Sequence, residues 1–243
     1  MIELMPFLVL SAGVFAGALV SGAAGFAFSG VAGALLLHVL PPTEAIPFMM
    51  ICSIAVQSAS LVALRRSMRW QSSLIFILGG ALGIPPALYA LQHLDAWVFR
   101  VGFGIFLAVY AGYMILRPAV TLFRKEQRRL HDAAVGFFGG LVGGLTAMPG
   151  ALPTIWCDLR GLPKEQQRGH VQPYITAMQV FALAVLFAHQ SLPSKVFVDA
   201  AFGLPALAAG TAVGIMLFGR MNDAVFRRTV LGALFVAGLA LIA

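Results

Sequence analysis

The chain has 243 residues, 60% of them hydrophobic and 10% charged, with a formal net charge of +7. A soluble domain carries about 25% charged residues, so this composition, at a mean hydropathy of +0.92, cannot cover a water-facing surface and points to a polytopic membrane protein. The basic residues lie in short loops between apolar segments, where they set topology, so the charge is not a nucleic-acid footprint.

The N-terminus, MIELMPFLVL, has an acidic Glu3 and no basic n-region, and does not read as a cleaved signal peptide. Five apolar segments follow, at about 7–20, 26–39, 45–64, 72–91 and 98–116. One long polar stretch, RPAVTLFRKEQRRLHD, separates them from five more, at about 133–145, 151–159, 171–188, 196–217 and 224–243. The expected organisation is a first membrane repeat at 1–116, a basic cytoplasmic loop at 117–132 and a second membrane repeat at 133–243. Cys52 and Cys157 lie in or beside apolar runs and read as small buried hydrophobes.

The two halves are copies of one pattern. LPPTEA (40–45) matches LPKEQQ (162–167), VFAGALV (14–20) matches FFGGLVG (137–143), and DAWVFR (95–100) matches NDAVFR (222–227). The offset drifts from 122 or 123 to 127, as small loop insertions would produce, and the last register sets Gly83 on Gly210. An internal repeat in a polytopic membrane protein is a transporter signature.

Segments three to five of each half are long enough to cross a hydrocarbon core, which needs about 20 residues each. The first two, at about 14 residues, are each too short alone, and joined as one straight helix they are too long. A helical hairpin that enters and leaves on one side fits best, with its tip at SGAAG in the first half and TAMPG in the second. Loop charge agrees. The hairpin count puts 14 of the 16 Lys and Arg on one side and only Arg100 and Lys195 on the other, whereas one span per hairpin gives 9 and 7. The positive-inside rule makes the 14-charge side cytoplasmic and both termini external. Two full spans in place of each hairpin would give the same sides. The halves are then inverted relative to each other, and the fold is an all-α polytopic membrane protein of two inverted repeats, each a broken-helix hairpin plus three transmembrane helices.

The second limb of each hairpin begins near the bilayer midplane. A helix N-terminus carries free N–H groups and about half a positive charge, so two such ends suit a small anion without a buried Lys or Arg. The candidate substrate-binding residues are Ser21, Gly22, Gly25, Phe26 and Ser29 at the first tip, and Gly144, Thr146, Met148, Pro149, Gly150 and Thr154 at the second. The competing reading of the glycines is close helix packing. Bulk at Gly25 or Gly150 should block binding, while Gly17→Ala should be milder. Gln57 and Gln179 differ by 122, each with a hydroxyl residue (Ser53, Thr176) one turn earlier, and Ser58 is a weaker candidate. An amide at membrane depth needs partners, so these two glutamines read either as substrate contacts or as interhelical glue.

No Asp, Glu, Lys or Arg lies in the middle of an apolar segment, and the five histidines fall in loops or near segment ends. No nucleophile–base pair, phosphate loop or metal-ligand cluster is visible, so neither an enzyme nor an ATP-driven pump is supported, and no cofactor or metal is expected.

These motifs together resemble the sulfite exporter TauE/SafE family, also called the toluene sulfonate uptake permeases. SGAAGFAFS looks like the family's glycine-rich first motif, followed by the LPPTEAIPF turn; RRSMRW resembles its basic loop; GLTAMPGALPTIWCDLRGLPKEQQR resembles its second copy. Ala23 and Ala24 stand where glycines are common, and Ala151 where many members have a second proline. The resemblance implies a secondary transporter or facilitator for sulfite, organosulfonates or related sulfur-containing or carboxylate anions, working as an exporter in the bacterial inner membrane. The alternatives are an anion channel and a non-transporting scaffold or assembly factor. The expected partners are a small anionic substrate and the lipid bilayer, with a homodimer as the candidate assembly and no nucleic acid.

Overall fold

The structure, a computed structural model, describes residues 4–24, 27–64, 70–116, 129–189, 192–218 and 223–242. Among them are ten α-helices: α1 (Leu4–Ala24), α2 (Phe28–Leu36), α3 (Pro42–Leu64), α4 (Trp70–His93), α5 (Ala96–Leu116), α6 (Arg129–Thr146), α7 (Ala151–Leu159), α8 (Lys164–Ala188), α9 (Ser194–Phe218) and α10 (Asp223–Ile242). The order of lengths repeats. Each half opens with a long helix, breaks, continues with a helix of nine residues, and then adds three helices of 20 to 25 residues. Prolines interrupt the same two helices in each half, Pro47 in α3 and Pro173 in α8, then Pro85 and Pro86 in α4 and Pro205 in α9.

The ten apolar segments are therefore ten helices, with corrections of length at the broken helices. The first was expected to be about 14 residues, but α1 has 21, about 31 Å at 1.5 Å per residue. Ser21–Ala24 stay helical, and alanine is the best helix former. The second segment shrinks instead. After Leu36 the chain tightens through His38 N–H to Leu35 O and Val39 N–H to Leu36 O, because Pro41 and Pro42 disfavour helix in the residues before them. Arg129–Asp132, assigned to the basic loop, form the first turn of α6. The rest of that loop, 117–128, and the RRSMR run at 65–69 lie outside the described residues.

The chain divides into two compact units. The first comprises Met1–Val56, Leu94–Leu116 and Leu192–Ala243. Within it α2 folds back along α1: a Cβ on Gly17 would meet Phe28 O and Ala32 Cβ, and one on Gly13 would meet Leu35 and Leu36. α9 runs parallel to α1, with Gly210 against Phe15 O and Leu19 N and Gly214 against Leu19 O. α5 and α10 pack antiparallel, Gly104 and Gly238 against each other's carbonyls and Gly112 near Phe235. Asp95 starts α5 by accepting the Trp97 and Val98 N–H groups at 2.8 and 3.3 Å, an N-cap that satisfies two otherwise open donors.

The second unit comprises Gln57–His93 and Arg117–Ser191. α7 folds back along α6, with Pro149 against Gly143 and Pro153 against Gly139. α4 runs parallel to α6, with Gly83 against Phe137 O and Leu141 N. This contact is the counterpart of Gly210 on Phe15 and Leu19, because 15 and 19 become 137 and 141 at an offset of 122 while 83 becomes 210 at 127. The contacts thus select 122, not 123, as the register of the first helices.

Among the described residues, four helical stretches are long and apolar enough to cross a membrane, Ser73–His93, Ala96–Leu116, Gln166–Ala188 and Ser194–Leu217. Leu74, Leu78 and Leu82 form an exposed apolar stripe on α4, and Val98, Ile105 and Val109 are exposed on α5. Exposed apolar surface on this scale suits lipid. Trp97 and Tyr113, both exposed near opposite ends of α5, suit the two interfaces.

Candidate functional site

The second break is described in full. α6 spends its glycines on two faces. Gly136, Gly140 and Gly144 recur every four residues and receive Phe76 O, Gly80 O and Ala87 Cβ of α4. Gly139 and Gly143 face Pro149 and Pro153 on the returning limb. Small residues at these positions let backbones approach closely. Gly144, one of the candidate binding residues, packs against Ala87 and Ile84 of α4.

Between α6 and α7 the backbone turns at Ala147, whose φ of 55° makes it the one non-glycine residue with positive φ among those described. A non-glycine residue in the left-handed region is uncommon and costs energy, and it persists where surroundings fix it. Three hydrogen bonds do so here. Thr146 Oγ1 donates to Val142 O at 2.7 Å and accepts the Met148 N–H at 3.3 Å. The Ala147 carbonyl accepts Nε2 of Gln179 at 3.2 Å. Pro149 follows, without an N–H to leave open, and α7 begins with Gly150 at its N-cap and no side-chain cap. Met148, Thr146 and Thr154 are all buried.

Gln179 does not stand alone. Its Oε1 accepts Nε2 of Gln57 at 3.0 Å, and Oε1 of Gln57 accepts Nε2 of Gln172 at 2.8 Å. Gln57, Gln179 and Gln172 are 1%, 1% and 5% exposed. The two glutamines matched in the sequence therefore touch each other, and a third, absent from the sequence-based candidates, joins them. Thr176 Oγ1 donates to the Gln172 carbonyl at 3.2 Å rather than to an amide side chain. Gln167 ties the start of α8 to α7 through Thr154 O at 2.9 Å, so the role visible for Thr154 is as a backbone acceptor.

The open end of the α6–α7 hairpin is closed by a buried carboxylate that the hydropathy pattern placed in a loop. Asp132 Oδ1 accepts Trp156 Nε1 at 2.7 Å and pairs with Arg160 at 3.3 Å. Removing one member of such a buried pair leaves the other uncompensated.

At the first break, Gly25 and Phe26 lie outside the described residues, and Gly22 belongs to the last turn of α1. Ser21 is 1% exposed and its Oγ has no hydrogen-bond partner among the described residues. Ser29 is buried in the first turn of α2, which, like α7, has no side-chain cap at its N-terminus. Ser58 is exposed.

Two expectations about bulk change. A Cβ at Gly150 would meet Ile175 and Val171 of α8, so leucine there would also clash with packing, and lost binding in that variant would not by itself separate the two causes. A Cβ at Gly17 would sit 2.9 Å from the Phe28 carbonyl, so Gly17→Ala is not a mild change. No group of three or more His, Cys, Asp or Glu that could hold a metal occurs among the described residues.

The family model described as Sulfite exporter TauE/SafE matches residues 9–241. No curated protein and no solved structure matches the chain.

Proposed function

The chain belongs to the sulfite exporter TauE/SafE family, and from that premise we propose that it is a secondary transporter or facilitator that carries small sulfur oxyanions, or related carboxylates, out across a bacterial inner membrane. The observation that carries this reading is the pair of nine-residue helices, α2 and α7, each starting at a break with no side-chain cap on its N-terminus. Such ends leave backbone donors and about half a positive charge for an anion. The unpartnered, buried hydroxyl of Ser21 supplies a further donor at the first break.

The halves act as an inverted repeat. α5 and α10 occupy equivalent places in the sequence pattern, and their antiparallel packing is what inversion requires of equivalent neighbours. Residues equivalent to one another that also touch, as Gln57 and Gln179 do, lie on the axis relating the halves. In this reading each tip offers its uncapped helix end to the oxygens of an anion. Export needs no coupling proton, since one negative charge leaving a cell gains about 2.3 kcal/mol per 100 mV.

The test is thermal stabilisation of the purified chain by sulfite, thiosulfate, sulfoacetate and short carboxylates, since a ligand specific to the folded state raises stability. The reading expects saturable stabilisation by at least one of these sulfur oxyanions. No response to any of them contradicts it.

A further inference from the structure

The Ala147 carbonyl can only accept a hydrogen bond, and this fixes the direction of every amide behind it. The Gln179 atom that meets it, 3.2 Å away, must be Nε2, which turns Gln179 Oε1 toward Gln57. Gln57 must then present Nε2 there, at 3.0 Å, and its Oε1 faces Gln172, which must donate, at 2.8 Å. The amide orientations follow from one backbone acceptor and not from a choice of fit. Gln172 and Gln179 are seven residues apart on α8, two turns along one face, so together they grip both ends of the Gln57 amide.

We infer that Gln172 is a positioning residue for the second tip, acting through Gln57 and Gln179 on the left-handed turn at Ala147. The inference rests on that tip being part of the anion site. Gln172 has no polar counterpart in the first half: the residue 122 positions earlier is Met50, fully buried and apolar. The first half therefore carries no amide donor at the position matched to Gln172.

Reversing the first donor reverses the chain. In the Q172E variant an ionised carboxylate can only accept, so Gln57 must turn Nε2 toward it and Oε1 toward Gln179. Gln179 must then offer Nε2 to Gln57 and point Oε1 at the Ala147 carbonyl, oxygen against oxygen. A protonated carboxyl at the same position donates and restores the native order. In Q172E the native order is therefore present at low pH and lost as the introduced side chain ionises with rising pH. The buried His170 and Tyr174, each two residues away on α8, are the nearest titratable side chains in sequence and are common to every variant, so wild type controls for them.

The experiment uses the full-length protein and methanesulfonate, a strong acid's anion that does not titrate in the range used, with affinity read from concentration-dependent thermal stabilisation between about pH 5 and pH 8. Q172E should bind within about twofold of wild type at the acid end and about tenfold more weakly at the alkaline end, the scale of one misdirected buried hydrogen bond. Wild type should be flat with pH. Q172M, which copies Met50, should be weakened at every pH without the slope. If Q172E and Q172M bind like wild type throughout, or if both only lower the melting temperature with affinity unchanged, Gln172 is structural and the inference is overturned while the proposed site stands. If methanesulfonate fails to stabilise wild type as well, the reading of the site fails and carries the inference with it.

Discussion

Gln57 donates from Nε2 to Oε1 of Gln179 at 3.0 Å, and the two residues are 122 apart, the separation that also relates the first helices of the two halves. A residue paired with its own counterpart couples the repeat to the second tip, because Gln179 passes the interaction on to the Ala147 carbonyl. Buried amides at this depth cannot be left half satisfied cheaply, since an unmade bond costs about 1–3 kcal/mol.

Gln57→Ala and Gln179→Ala should each reduce transport more than they reduce the amount of folded protein in the membrane. Each should also lower thermal stability, by about 1 kcal/mol given that interhelical amide bonds in membranes average about 0.6 kcal/mol. The double variant should lose little more than either single one. Flux measured per folded molecule decides the matter: if it is unchanged in both variants, the pair is only interhelical glue.

Gly83→Ala and Gly210→Ala should be equally damaging, at roughly 1–3 kcal/mol each. Each new methyl would meet a helix carbonyl, Phe137 O for one and Phe15 O for the other. Gly102→Ala and Gly232→Ala are the controls, since an added Cβ at either would meet no described residue outside its own helix within 4 Å. These should be stabilising by about 0.5–1 kcal/mol, the usual gain of alanine over glycine inside a helix. Melting temperatures of the four variants give the comparison, and unequal losses at 83 and 210 would argue against matched packing in the two units.

Ala147→Gly should fold and bind as wild type, because glycine adopts a φ of 55° without strain. Ala147→Val should destabilise by about 2 kcal/mol or more, as a β-branched residue is a strong outlier in that region and the site is 2% exposed. Equal melting temperatures for the two variants would mean that the turn is not held in this conformation.

Much of the fold was legible because composition and the repeat both report on burial. Ten apolar segments became ten helices, and the offset of 122 found Gln57 and Gln179 before any contact was known. Gln172 was missed by the same logic, since a search for matched polar positions passes over a glutamine whose counterpart is Met50. Asp132 was missed because hydropathy assigns a charge near an apolar boundary to water, and only the fold brings Trp156 and Arg160 to it. The glycines could not be sorted in advance. Whether Gly144 or Gly150 meets a ligand or a helix depends on which neighbour its missing side chain would face, and that is set by α4 and α8. The limb lengths of the first hairpin were misjudged because Ser21–Ala24 are small enough to read as a break yet continue the helix.

Topology is open to a direct check. Single cysteines at Arg66, in 117–132 and at Lys164 should react with an impermeant thiol reagent only after the cells are opened, while both termini should be labelled on intact cells. The basis is the division of Lys and Arg, 14 against 2, between the two sides. Labelling of the 117–132 segment from outside would reverse the assignment and with it the inside and outside of each hairpin.

The most direct measurement of the central claim is flux of ³⁵S-labelled sulfite and an organosulfonate in proteoliposomes of the wild-type chain, with an imposed membrane potential. A transporter of this kind should show saturable, mutually competitive flux of these anions, faster toward the positive side, and diminished per folded molecule in Gln57→Ala and Gln179→Ala. No flux above empty liposomes, or a large non-saturating conductance, would contradict it.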